Sequence, residues 1–243
     1  MISLRLAMLA LSILLPFSAF AQALSEERVK ELALEAILEN PQIIMEAVQL
    51  LEQQEATAQA EAAADVLKEQ RQLLEEDPNA PVLGNPDGDV TVVEFFDYNC
   101  PYCRRAMSEV EGLIEADTNV RLVFREWPIL GDGSVFAAKA ALAARNQDKY
   151  EEFHWALMGM EERAQEASVL RIAEEIGLDV DQLRSDMEAP EVQRHIDESM
   201  RLAQALGFNG TPSFVIGDHL LPGLVEQDQL EALVDEAREG ERN

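Results

Sequence analysis

The chain has only two cysteines in 243 residues, and both lie in the stretch Val92-Val-Glu-Phe-Phe-Asp-Tyr-Asn-Cys-Pro-Tyr-Cys-Arg-Arg-Ala-Met107. Val92 to Phe96 is a β-branched and aromatic run, which predicts a short buried strand. After Asn99 the apolar period changes. Ala106, Met107, Val110, Leu113 and Ile114 recur at the spacing of one helical face, so Cys100 and Cys103 fall where a strand hands over to a helix N-terminus. The first N–H groups of a helix lack partners within it, and its dipole favours negative charge there. A thiolate at Cys100 is stabilised in that position. Pro101 suits the first helical position, where its missing N–H costs nothing. One turn brings Cys103 within disulfide reach of Cys100. Cys100 is expected to be the exposed attacking sulfur and Cys103 the resolving one.

Two plainer explanations compete with a redox pair. A structural disulfide across so short a loop restricts the unfolded chain little. Half of a zinc site would need further ligands, but there is no third cysteine, and His154, His195 and His219 have no ligand spacing with the pair. No metal and no cofactor is expected.

The chain opens with Arg5, an apolar run from Leu6 to Phe17, and small residues at Ala19 and Ala21. Residues 1–21 are expected to be a secretory signal peptide cleaved after Ala21, with Ala23 a second allowed point. The run is shorter than the ~20 residues a spanning helix needs. Export to the periplasm would place the two thiols in an oxidising compartment. With 47 acidic against 19 basic residues and a formal net charge of -28, the protein repels nucleic acid and anionic lipid headgroups.

From Ser25 to Leu38, Val29, Leu32, Ala33, Ala36 and Ile37 follow a helical face, with Glu26 and Glu27 in the first turn. Asn40-Pro41 then predicts an N-cap and first-turn proline for a second helix running to about Glu76. Its face is Ile44, Ala47, Val48 and Leu51, and thins to alanines beyond Gln54. Two such helices cannot bury their apolar faces on each other alone, so residues 22–78 are expected to form an N-terminal helical oligomerisation segment. Turn formers crowd Glu76 to Asp89 and mark a domain boundary. Val90–Phe96 and Val120–Phe124 are predicted strands on either side of the Cys100 helix, a βαβ unit. Helical stretches follow, with Gly177 and Gly207 as stops. His154 is expected to be an ordinary packed histidine and Met200 a core methionine. Gly210-Thr-Pro-Ser-Phe-Val-Ile-Gly217 predicts a strand, joined by Gly217-Asp218 to a second at His219–Leu221 and closed by a helix over Val225 to Arg238.

Taken together, Glu94-Phe-Phe-Asp-Tyr-Asn-Cys-Pro-Tyr-Cys103, Arg125-Glu-Trp-Pro-Ile-Leu-Gly131, Gly210-Thr-Pro212 and Leu38-Glu-Asn-Pro41 resemble the thioredoxin-fold oxidoreductases similar to DsbA. The resemblance is nearest to the branch of the suppressor of copper sensitivity protein C. It implies an α/β thioredoxin fold over 79–243 with a helical insertion at about 133–206. It implies a cis Thr211-Pro212 bond against the cysteines, where the Thr211 backbone pairs with an extended substrate beside Pro101 and Tyr102. It also places an acid, Glu94, beneath the pair; among apolar neighbours its pKa should rise, and it can relay a proton to or from Cys103. In this branch N-terminal trimerisation accompanies disulfide isomerase activity.

The expected function is an exported thiol-disulfide oxidoreductase acting on protein substrates, an isomerase or reductase with a membrane redox partner. Its rivals are a monomeric DsbA-like dithiol oxidase, a copper(I)-binding protein using the same thiolates, and a holdase without chemistry. Pro-Tyr between the cysteines, where DsbA carries Pro-His, leaves the direction of electron transfer open.

Overall fold

The computed structural model describes residues 25–240; the expected signal peptide, residues 1–21, lies outside them. Two helices come first. α1 (Glu26–Glu39) is capped by the Ser25 hydroxyl, which accepts from the Arg28 N–H at 3.2 Å. Asn40, expected to start the next helix, instead closes this one: its N–H donates to Ala36 O at 3.1 Å and its side-chain amide reaches the same carbonyl. The long α2 (Gln42–Glu76) begins two residues later. No residue of α1 is buried, and Leu38 stands 72% exposed. Val29, Leu34, Ile44, Val48 and Leu51 are exposed as well, so the apolar face read from the sequence is left uncovered within the described chain.

The contacts divide the chain between Gln54 and Glu55. From Glu55 onward α2 belongs with the unit that holds the sheet, because its alanine-rich stretch carries a buried stripe of Ala63, Leu67 and Leu74. The expected boundary near residue 78 marks only where this helix ends. The strands β1 (Val82–Gly84), β2 (Val90–Phe96) and β3 (Val120–Glu126) are joined by α3 (Pro101–Ala116) between β2 and β3. β2 and β3 run parallel in the register Val92 to Leu122, the right outcome for a strand, helix, strand crossover. β1 is not expected from the sequence: three residues inside a turn-rich segment pair antiparallel with β3.

The insertion comprises α4 (Asp132–Ala144), α5 (Tyr150–Met158), α6 (Glu166–Glu175), α7 (Val180–Asp186) and α8 (Pro190–Ala205). α4 is its axis: alanines at 137, 138, 140, 141, 143 and 144 are buried and let the neighbouring helices approach closely. Gly177 and Gly207 follow α6 and α8 at φ +76 and +77, the left-handed geometry that ends a helix. The chain closes with β4 (Ser213–Ile216), β5 (His219–Pro222) and α9 (Gln227–Gly240), giving a sheet of order β1-β3-β2-β4-β5. One face of β2, with Val92 and Phe96, packs with α3 and α9; the other, with Val93 and Phe95, packs with Leu67 and Leu74 of α2 and Leu202 of α8. Met200 is no core residue. It stands 45% exposed, a step round α8 from the buried row Val192, Ile196, Ser199 and Ala203.

The end of α2 has no basic residue of its own, and arginines from elsewhere satisfy its open carbonyls. Arg125 of β3 donates to Leu73 O and Leu74 O, and Arg121 to Glu75 O. Arg125 also pairs with Asp77 at 2.7 Å, both buried, and His195 lies between Asp77 and Glu126, 2.6 Å from the latter. Burial by itself would raise the Asp77 carboxyl, but the His195 ring 3.6 Å away, the hydrogen bond from the Asn79 N–H and the Arg125 charge hold it well below the usual range. Burial opposes charge on His195, and the Glu126 carboxylate with its hydrogen-bond partners outweighs it, so its pKa rises. Asp77 thus stabilises the fold above the ordinary carboxylate pKa. The His195 contribution is complete below its ordinary pKa and fades as pH rises through the raised one.

Asp77→Asn leaves the Arg125 charge buried without its counter-ion. Denaturant unfolding at neutral pH should show a loss of about 3–5 kcal/mol, and a loss under 1 kcal/mol would mean the pair is dispensable.

Candidate active site

Cys100 ends the turn after β2 and is the N-cap of α3, with φ -81 and ψ 117. Pro101 occupies the first helical turn, as its fixed φ favours. The Cys100 sulfur accepts from the Cys103 N–H at 3.4 Å, and in its protonated form donates to Thr211 O at 3.1 Å. Thr211-Pro212 is cis, at the entry to β4. Both cysteines are free and buried. Cys100 is only 4% exposed against 0% for Cys103, so the attacking sulfur expected at the surface is merely the more accessible of the two. Tyr102 projects outward, 56% exposed.

These surroundings separate the two thiols. The hydrogen bond from the Cys103 thiol does most to favour a thiolate at Cys100. Burial works against it, the N–H groups of Cys103 and Tyr102 add to it, and the pKa is held down at about 6. Cys103 is pushed far up, first by burial, then by its bond to Cys100 and by the charges of Glu94 and Cys100. Glu94 lies on β2 between Phe124 of β3 and Phe214 of β4, on the same strand face as Val92 and Phe96. Burial, and secondarily the Cys100 charge, push it up to about 8. The structure therefore brings Cys100, Cys103, Glu94, Pro101, Thr211 and Pro212 to one end of the sheet, with Tyr102 at its rim.

Sequence reasoning missed the residues that hold this end together. The Asp97 carboxylate accepts from the N–H groups of Asn99, Ile129 and Leu130, at 2.7, 2.8 and 2.9 Å. It ties the loop after β3 to the cysteine turn. The Asn99 amide reaches Ser134 and Ala164 in the insertion. Arg104 donates to the carbonyls of Tyr98, Met160 and Glu162. Tyr98 and His154 share a buried hydrogen bond of 3.0 Å. Burial lowers His154 to about 3, so it is a neutral packing partner. The only local signal for these contacts was polar residues standing beside a buried strand.

The Cys100 shift can be read as stability. A folded pKa of about 6 against an ordinary 9.0 means the thiolate adds nothing below pH ~6 and its full share above pH ~9. The melting temperature of the reduced protein minus that of the oxidised protein should therefore climb across that window. A flat difference would show that Cys100 ionises as a free thiol does.

A profile of the DSBA-like thioredoxin domain matches residues 91–235. A thioredoxin-like oxidoreductase from Silicibacter pomeroyi DSS-3 is 73% identical, with a TM-score of 0.69, over 70% of this chain and 98% of that one. A linker-deletion mutant of Proteus mirabilis ScsC is 27% identical with a TM-score of 0.68, over 92% of this chain and 99% of that one. Among curated relatives, the Na(+)/H(+) antiporter NhaA 3 of Salinispora tropica is 32% identical over 155 residues, 63% of this chain and 24% of the antiporter. The chain thus spans about a quarter of the length of that relative. With the cysteine pair, the buried acid and the cis-proline turn in one place, the chain belongs to the DsbA-like thioredoxin family, and its matched region is a thiol-disulfide oxidoreductase domain.

Proposed function

We propose that the protein is an exported thiol-disulfide oxidoreductase that exchanges disulfides with protein substrates, as an isomerase or reductase assembled through its N-terminal helices. The observation that carries this is the split between two thiols one turn apart, one held ionised at neutral pH and one held protonated. The Cys100 thiolate attacks a substrate disulfide, forming a mixed disulfide and releasing one substrate thiolate. In isomerisation that released thiolate, or another in the substrate, attacks the mixed disulfide and frees Cys100 with a new pairing. In reduction Cys103 gives its proton to the Glu94 carboxylate and attacks the Cys100 sulfur; the second substrate thiolate leaves and the protein is left oxidised. A membrane redox partner then returns two electrons. Thr211 and Pro212 line the approach to the sulfur, and Tyr102 with the exposed Ile129 and Leu130 offers apolar contact for an unfolded chain. The sequence of residues 1–21 supports export, and the strongly acidic surface disfavours nucleic acid.

The uncovered apolar face of α1 and early α2 supports the assembly, with a trimer the form that the family resemblance implies. Several sites in one particle hold a scrambled substrate near a second thiolate, raising its effective concentration. Sedimentation and refolding of scrambled ribonuclease test this together. The mature chain should sediment as an oligomer and restore ribonuclease activity, and Cys100→Ser should abolish that recovery. A monomer at micromolar concentration that only oxidises dithiols would replace this assignment with the oxidase, and recovery surviving Cys100→Ser would leave a holdase.

A further inference from the structure

Asn99 stands immediately before Cys100 and is buried, yet no step above uses it. Its side-chain amide is almost fully engaged. Nδ2 donates to Ser134 Oγ at 3.0 Å and to Ala164 O at 3.1 Å, while Oδ1 accepts from the Ala164 N–H at 2.7 Å. Both backbone groups of one residue, 65 positions away, are thus gripped by one amide. That pattern fixes which way the amide faces, since the reverse orientation would set donor against donor and acceptor against acceptor.

Ala164 is a firm anchor. It is wholly buried, and α4 presses on it so closely that a Cβ added at Gly133 would lie 2.1 Å from its carbonyl oxygen. Ser134 belongs to the same first turn of α4. Arg104, just beyond Cys103, holds the adjoining Met160 and Glu162 carbonyls. The loop between α5 and α6 is therefore fastened on both sides of the cysteine pair. The Cys100 sulfur is held by Cys103 and Thr211, so its place depends on where the turn sets the Cys100 backbone. The Cys100 N–H donates to Asp97 O, and the next residue, Pro101, has neither an N–H nor a polar side chain. Asn99 does not touch the sulfur, but it is the last side chain before Cys100 and is tied to the insertion, so it fixes the backbone from which the sulfur reaches the open end of α3.

We propose that Asn99 is a positioning residue through which the helical insertion sets the reactivity of the cysteine pair. Its grip on Ala164 and Ser134 keeps the Cys100 sulfur aligned with the N–H groups of α3. When that grip is lost the turn relaxes, the sulfur leaves the alignment and the thiolate loses stabilisation. Thiolate stability belongs to the reduced form only, so its loss moves the equilibrium with glutathione towards the disulfide. The proposal rests on Cys100 being the ionised thiol, but it requires no particular substrate or oligomer.

The test uses the full mature chain carrying Asn99→Ala, with Ser134→Ala as a milder variant that removes one of the three partners. Thiolate absorbance against pH gives the Cys100 titration, and equilibration with glutathione gives the redox constant. A wild-type midpoint near the ordinary thiol value would overturn the assignment of Cys100 itself; a low one isolates the present question. In Asn99→Ala the midpoint should rise by about one unit and the equilibrium should move about tenfold towards the oxidised protein, equivalent to roughly 30 mV for two electrons. Ser134→Ala should move both in the same direction by a smaller factor. A folded Asn99→Ala protein with wild-type titration and redox constant would show that the amide only fastens a loop. Should Asn99→Ala fail to fold, Ser134→Ala decides, and unchanged values there overturn the proposal.

Discussion

The site depends on hydrogen bonds offered to one sulfur at the open end of a helix. Cys100 caps α3, and the donors that reach it are the Cys103 thiol, the Thr211 side chain and the N–H groups of the first turn. A helix start leaves these N–H groups without backbone partners, and here a side-chain sulfur takes that role. The second cysteine is part of the same device. Its own burial keeps it a thiol, and as a thiol it donates to the first. The asymmetry between chemically identical residues thus follows from where each falls on one helical turn.

The sheet gives this arrangement its rigidity. β2 is central, paired with β3 on one side and β4 on the other, and its two faces serve two separate apolar layers. The strand that delivers the cysteine turn can neither slip in register nor tilt without disturbing both. The turn itself is bound sideways, to the loop after β3 through Asp97 and to the insertion through Asn99 and Arg104. Arg125 joins the end of α2, whose last turn has no basic residue, to the sheet.

Much of this was legible from the sequence because it is written locally. A β-branched run, a change of apolar period and a C-x-x-C place the pair at a strand-helix junction without any three-dimensional information. The Gly217-Asp218 hairpin and the glycines ending α6 and α8 are local in the same way. The helical insertion and the cis bond came from resemblance. What stayed hidden depends on partners distant in the chain. Nothing near Asn99 announces Ala164, and nothing near Arg125 announces the carbonyls of Leu73 and Leu74. β1 is too short to show alternation. The apolar face of α2 reads as thinning beyond Gln54 because alanines conceal a buried stripe, and Met200 fits the apolar spacing of α8 while lying at its edge.

The Cys100 charge is one of the two causes that keep a proton on Glu94. Once Cys100 is bonded to a substrate sulfur that charge is gone, and the carboxyl beneath it becomes the stronger acid. Glu94 then exists as an anion more of the time in the mixed disulfide than in the free dithiol, which suits the proton acceptor proposed for Cys103. With Glu94 as the base proposed for Cys103, capture itself arms the release step, because the charge that opposed the carboxylate is spent in bonding the substrate.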